Sequence, residues 1–383
     1  MTDSSNSTRR RFLALGGATA AGSLAGCFGL FSNNNNNNQV GVSLSDFRGS
    51  GPLVESRGQP GGTSIKDLPP LEGNITVYLG GGEGGLYVDL LELFEQAYSD
   101  FSVNQRLDSS SSLANQIIEE NNNNATQADV FMSVDAGSLG AVANAGATQS
   151  LPSEALNAVP GSFQDGDGRW VGFAGRARAI PYNTNQLSPS DIPNKVRDFP
   201  DSGALEGTMG WAPTYGAFQS FITAMRLNRS DSAARSWLES MLDHGITEYG
   251  NEFAVSNSAA DGELAAGFAN HYYSLRVRSG RPNAPLGLYF TEGDAGALVN
   301  VSGMSILNGT NKADLAGNLA RHVLSSEAQE FFATRTFAYP MISGVPPVGD
   351  LPRIDDLNPP DIDLTQLADV SGTVDLMRDA GVL

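Results

Sequence analysis

Strand, glycine turn and helix follow one another between residues 74 and 98, and this alternation narrows the fold more than any other feature of the chain. Asn74-Ile-Thr-Val-Tyr-Leu79 is a short β-branched run, Gly80 to Gly85 is a turn, and Leu86 to Tyr98 sets apolar residues at helical spacing. The unit returns in looser form. Ala128 to Met132 reads as a buried strand ending in Ser133-Val134-Asp135, and Leu139 to Ala145 reads as a helix. Alternating strands and helices predict an α/β sandwich with a mostly parallel sheet. Gly175 to Tyr182 and Gly296 to Ile306 read as long extended segments, where the chain is expected to cross between lobes. Helical spacing predicts helices over 217–226, 232–243, 262–269, 312–325 and 327–334. At 383 residues the chain is long enough for two domains, and no internal repeat is visible.

The first residues read as an address. Thr8-Arg-Arg-Arg-Phe-Leu13 precedes an apolar stretch, Ala14 to Gly26, that is too short for a permanent membrane helix. Together they predict a cleavable export signal over 1–26 with a twin arginine at Arg9 and Arg10. The stretch ends Leu24-Ala25-Gly26-Cys27, which resembles the lipobox of bacterial and archaeal lipoproteins, whose cysteine is lipidated. Cys27 is the only cysteine, so no internal disulfide and no thiolate metal cluster can form. Residues 27–73, rich in Asn, Ser, Gly and Pro, are expected to be a flexible tether. No later stretch is apolar enough to span a bilayer, so the expected place is the extracellular face of the cell membrane, held by lipid alone.

Charge and motif content exclude several functions. The formal net charge is -19, and lysine occurs only at Lys66, Lys195 and Lys312. A nucleic-acid partner is therefore not expected, because the chain offers no basic face to replace counterions. The acidity suits a solvated surface that stays soluble in high salt, as in a halophile. Gly80, Gly82 and Gly85 fit G-x-G-x-x-G, but a glycine-rich run satisfies many such patterns, and an exported protein meets no nicotinamide pool. What survives of that motif is a helix N-terminus suited to an anion or polar ligand. No Gly-x-Ser-x-Gly elbow is present, and His244, His271 and His322 lack metalloprotease spacing, so an enzyme is not expected.

Asn270-His-Tyr-Tyr273 carries the most suggestive chemistry. Adjacent tyrosines within a helix point about 100° apart, so both reach one ligand only at a strand end or helix start. Read by itself the pair is either an aromatic packing patch or a pair of oxygen ligands.

The order of Ile75-Thr-Val-Tyr78, Ala128-Asp-Val-Phe131, Gly175-Arg-Ala-Arg178 leading to Tyr182-Asn183, Ala212-Pro-Thr-Tyr-Gly-Ala-Phe218, Asn257-Ser258, Asn270-His-Tyr-Tyr273, Asp294-Ala-Gly-Ala-Leu298 and Tyr339-Pro340 resembles the periplasmic ferric-iron-binding proteins of ABC importers, a group of type II extracellular solute-binding proteins. The resemblance covers roughly residues 74 to 345. It implies a two-lobed periplasmic-binding-protein-like α/β fold with the ligand in an interlobe cleft. Lobe 1 would comprise 74–178 and 302–350, and lobe 2 would comprise 179–301 and 351–383. It also implies that Tyr272 and Tyr273 are iron ligands, with Tyr215 as a third phenolate. Fe(III) is a hard ion that favours oxygen donors, and its charge stabilises phenolates that otherwise form only near pH ~10. Members of the family hold an accessory anion, carbonate or phosphate, and the matching positions are Arg176, the backbone at Gly216 and Ala217, Asn257 and Asn270. Arg178 and Tyr182 match structural positions of a crossing strand.

The resemblance also has gaps. A histidine and a glutamate that some members use as ligands fall on Gly82 and Val134, and an arginine falls on Gly81. Glu83 and Asp135 are the neighbouring carboxylates that could take their place. Implied partners are a membrane permease and its ATPase, with the binding protein itself a monomer. Within the same fold the ligand could instead be thiamine, a polyamine, a phosphonate or another oxyanion. A surface adhesive protein is a further alternative, to which sequons at Asn228, Asn300 and Asn308 are compatible.

Overall fold

The computed structural model describes residues 41–81 and 84–383. The export signal, Cys27 and Glu83 lie outside the described residues. Residues 41–71, expected within a flexible tether, are instead docked on the folded body. Val42, Phe47, Val54, Ile65, Leu68 and Leu71 are buried there, around the short helix α1 (Leu44–Phe47). Such irregularly spaced residues carry no period to read in a sequence. Arg48 and Arg57 both clamp the carboxylate of Glu330, at 2.7 and 2.8 Å. Gly61 N–H donates to the Gly344 carbonyl at 2.8 Å, an approach so close that a Cβ on Gly344 would lie 2.5 Å from the Gly61 carbonyl carbon.

The first lobe then builds β1 (Gly73–Gly80), α2 (Gly84–Ala97), β2 (Phe101–Asp108), α3 (Ser110–Asn122), β3 (Val130–Ser133), α4 (Ala136–Asn144), β4 (Thr148–Gln149) and α5 (Ser153–Leu156). β1 runs parallel to β2 and β3, and its core positions Ile75, Val77 and Leu79 are fully buried. The long strand β5 (Val171–Asn183) leaves this lobe for the second, which holds β6 (Met209–Trp211), α6 (Gly216–Asn228), α7 (Asp231–Asp243), β7 (Thr247–Glu248), α8 (Glu252–Asp261), β8 (Ala266–Gly267), β9 (Ala269–Asn270), α9 (His271–Gly280) and β10 (Leu286–Tyr289). The chain returns through β11 (Val299–Leu307), then α10 (Ala313–Val323), α11 (Ser326–Phe331), a π-helical turn over Phe332–Thr336 and β12 (Tyr339–Pro340). α12 (Val370–Asp379) closes the chain against α6 and α7.

β5 changes partners between Ala177 and Arg178. Up to Ala177 it pairs antiparallel with β11, and from Arg178 it pairs with β9, β8 and β10. The sheet is thus parallel at β1–β2–β3 and at β6–β7–β8, and antiparallel where strands cross. Two sequence expectations need correction, the first being a mostly parallel sheet, since β5 and β11 pair antiparallel with every partner. The helix expected over 262–269 does not form, because Gly262, at φ 81°, ends α8 in the left-handed region and the next residues enter β8 and β9. The small apolar run Leu264–Ala269 suits a buried strand as well as a helix. Beyond residue 351 the chain touches both lobes: the Gly293 N–H donates to the Asn358 carbonyl at 2.6 Å on the second, and Arg353 Nη2 donates to the Ser343 carbonyl at 2.5 Å on the first. Thr365, Leu367 and Ala368 lie against Gly137 and Gly140 of α4, where a Cβ would strike them, and the same turn, like α12 after it, also packs on α6.

Candidate functional site

Parallel strands aim their carboxyl ends at one cleft, the usual position for a ligand in an open α/β sheet. β1, β2 and β3 end immediately before the cleft residues Gly81, Ser109 and Val134, and β6 ends four residues before Tyr215. The cleft encloses about 740 Å³. Of the residues expected at a ligand site, Asp135, Arg176, Tyr215, Gly216, Ala217, Asn270 and Tyr272 line it.

The three tyrosines cluster at the second-lobe wall, where Tyr215 and Tyr272 line the cleft and Tyr273 does not. Tyr215 is the N-cap of α6, and Tyr272 and Tyr273 are the second and third residues of α9, which follows β9 directly, so the tandem pair sits where a strand ends and a helix begins. The hydroxyls of Tyr215 and Tyr273 are in hydrogen-bond contact, and the rings of Tyr272 and Tyr273 are 4.4 Å apart at their centroids. Asn270 Nδ2 donates to the Tyr272 hydroxyl at 3.4 Å. His271, between Asn270 and the tyrosines, is fully buried, and desolvation pushes it down to about 4. It is therefore neutral near pH 7: Nδ1 accepts from Ala177 N–H at 3.2 Å, and Nε2 donates to the Phe337 carbonyl at 2.8 Å. These bonds fasten the tyrosine-bearing turn to the crossing strand.

The guanidinium of Arg276 lies 5.2 Å from the Tyr272 ring and 5.4 Å from the Tyr273 ring. Sequence reading overlooked it, although an arginine three and four residues after the two tyrosines on one helix is the signal to look for. It sets positive charge over the faces of both rings. Gly216 and Ala217 begin a helix of 13 residues, so their peptides offer N–H groups and a favourable dipole to an anion in the cleft. On the opposite side Arg176 donates from Nη2 to the Val134 carbonyl.

Other expected positions are used differently. Asp135 is the N-cap of α4: its Oδ1 accepts from Ser138 N–H at 2.7 Å and its Oδ2 from Ser138 Oγ at 3.1 Å. Asn257 lies on α8 with its amide donating to the Phe253 carbonyl at 3.1 Å, and it is not among the residues lining the cleft. Asn300, read as a sequon, is a buried part of the cleft wall whose Oδ1 accepts from Ala136 N–H at 3.2 Å. Ser109, Ser110, Ser111, Asn115 and Ser138, none of them singled out by sequence, supply the hydroxyls and amide of the first-lobe wall. Among the described residues, Asp135 is the one carboxylate lining the cleft, and no group of three or more His, Cys, Asp and Glu side chains could hold a metal.

The profile of the bacterial extracellular solute-binding proteins matches residues 125–361, more than half the chain. The chain belongs to this family. Similar relatives of this solute-binding protein include the Fe(3+)-binding periplasmic protein of Serratia marcescens, 27% identical over 71% of this chain and 80% of the relative. The major ferric iron-binding protein of Neisseria meningitidis is 29% identical over 70% of this chain and 82% of its own. Among solved structures, iron-bound HitA from Pseudomonas aeruginosa superposes with a TM-score of 0.69 at 27% identity, covering 80% of this chain and 99% of that one. The Trichodesmium protein IdiA (FutA), in complex with iron and citrate ligands, gives 0.68 at 26% identity, covering 81% of this chain and all of the other. The solute-binding protein therefore has the two-lobed type II fold, and it is a binding component rather than an enzyme. Among the described residues no helix is long and apolar enough to cross a membrane.

Proposed function

We propose that this solute-binding protein captures ferric iron in the interlobe cleft and delivers it to an ABC permease driven by its ATPase. The observation that carries the reading is the clustering of Tyr215, Tyr272 and Tyr273, drawn from two separate elements, at the wall of the cleft that Tyr215 and Tyr272 line. Three phenolates balance the charge of Fe(III) and match its preference for hard oxygen donors. Arg176 and the first peptides of α6 would hold an accessory oxyanion, carbonate or phosphate, that completes the coordination. Relatives and structural neighbours named for ferric iron support the cargo. Closure of the lobes about β5 and β11 would shield the metal until the permease opens them. A lipid on Cys27, after twin-arginine export, would keep the protein at the outer face of the membrane.

Adding ferric salt with bicarbonate to the purified protein tests this. The expected result is a visible phenolate-to-iron charge-transfer band together with thermal stabilisation. A colourless mixture with unchanged melting refutes the assignment. A small organic oxyanion is the second reading, favoured by the 740 Å³ cleft and its hydroxyl-rich wall. An organic cation such as a polyamine fits less well, because the described lining offers one carboxylate, itself engaged as a helix cap.

A further inference from the structure

We infer that the buried pair Arg178–Glu252 is the positioning element that sets the spacing between Tyr215 and the Tyr272–Tyr273 turn. The inference rests on the iron-binding reading above. Both side chains are essentially removed from solvent, at 1% and 0% exposure, and they form an ion pair. Burying two charges is costly, and an apolar pair of similar size is often as stable, so a role in specifying geometry is the natural place to look.

The connections of the pair run to both tyrosine-bearing elements. The second carboxylate oxygen of Glu252 accepts from the backbone N–H of Asn270 at 2.8 Å, and Asn270 is the N-cap of α9, whose second and third residues are the tandem tyrosines. Arg178 stands opposite Asn270 in the pairing of β5 with β9. Its guanidinium lies 5.5 Å from the ring of Phe218 and 5.0 Å from that of Phe221, one and two turns into the helix that Tyr215 caps. One salt bridge therefore holds α6 by its aromatic face and α9 by its first peptide. Glu252 is also the first residue of α8, a 10-residue helix whose N-terminus favours a carboxylate. Neither side chain lines the cleft, so the pair acts through the tyrosines rather than on the metal.

Glu252→Gln is nearly isosteric, keeps an acceptor for Asn270 and removes the charge that holds Arg178. Glu330→Gln is the control: it neutralises an equally buried carboxylate, also clamped by arginine, away from the tyrosines. Glu252→Gln should lower ferric-iron affinity by roughly tenfold or more and shift or broaden the charge-transfer band, whereas Glu330→Gln should lower the melting temperature with affinity and band unchanged. Phe218→Leu, which removes one ring beneath the guanidinium and leaves the ion pair, should shift the band in the same sense by less, and it carries the test should Glu252→Gln not fold. Wild-type affinity and band in both variants overturn the inference and leave the iron assignment standing. A wild-type protein that takes up no iron overturns the functional reading itself.

Discussion

On the second lobe the cleft presents the phenols of Tyr215 and Tyr272, with Tyr273 in contact with both and Arg276 beside the tandem rings, and on the first it presents serines, Asn115, the carboxamide of Asn300 and a carboxylate already spent as a helix cap. Phenols are thus concentrated on one wall, and hydroxyl and amide groups on the other, with Arg176 beside Val134 as its charged donor. The contrast indicates an order of events for the proposed cargo. Iron would load on the tyrosine wall, and the first lobe would then add enclosure and contacts to the oxyanion rather than metal bonds. Release would require separating two walls of which only one grips the metal tightly.

The contrast would break at once if the tyrosine wall were dispensable. Replacing Tyr272 and Tyr273 together by phenylalanine should weaken ferric binding by roughly a thousandfold or more, about 4 kcal/mol, with loss of the visible band in an iron titration. The folded baseline should survive, because the phenyl rings remain.

Acid should act on the first lobe by a separate route. Burial holds His322 at about 4, below its ordinary 6.5, with Nδ1 donating to the Asn318 carbonyl at 2.8 Å and Nε2 accepting from the Tyr98 hydroxyl at 2.9 Å. Below about pH 6.5 the unfolded chain binds a proton that the folded chain refuses. Its stabilising share is therefore complete above that pH and declines as pH falls toward 4, by on the order of 3 kcal/mol. Denaturant melts of iron-free protein across this window should show the decline, and His322→Asn should reduce it, leaving the like share of His271.

Arg176 faces the cleft where the lobes meet. Arg176→Gln should reduce ferric affinity by about thirtyfold, or about 2 kcal/mol, and should abolish the dependence of binding on bicarbonate or phosphate concentration. An unchanged anion dependence would move the oxyanion elsewhere in the cleft. The smallest effect sharpens the first-lobe side. Asp135→Ala should cost about 1 kcal/mol of stability as a lost helix cap, with iron affinity changed by less than about threefold. A large loss of affinity in that variant would make Asp135 a ligand.

Much of this was legible in residue order. The strand, glycine turn and helix of residues 73–97 come from local periodicity, and the placement of Tyr272 and Tyr273 follows from the geometry two adjacent side chains need to share a ligand. The docked segment 41–71 was not legible, because its apolar anchors are irregularly spaced and its two arginines find Glu330 across more than 270 residues of chain. The false helix at 262–269 shows a short apolar run without an arbitrating partner, since only pairing with β5 and β6 makes it strand. Asp135 and Asn257 carry suitable oxygen and amide groups, but a carboxylate at a helix start is claimed by the backbone, and an amide on a helix flank by its own turn.

Anomalous diffraction at the iron edge from crystals grown with ferric salt and bicarbonate tests the central claim most directly. One iron peak bonded to the hydroxyl oxygens of Tyr215, Tyr272 and Tyr273, with an oxyanion between it and Arg176, is the predicted result. An iron peak held by other groups, or a cleft filled by an organic solute with these hydroxyls unbonded to metal, would contradict it.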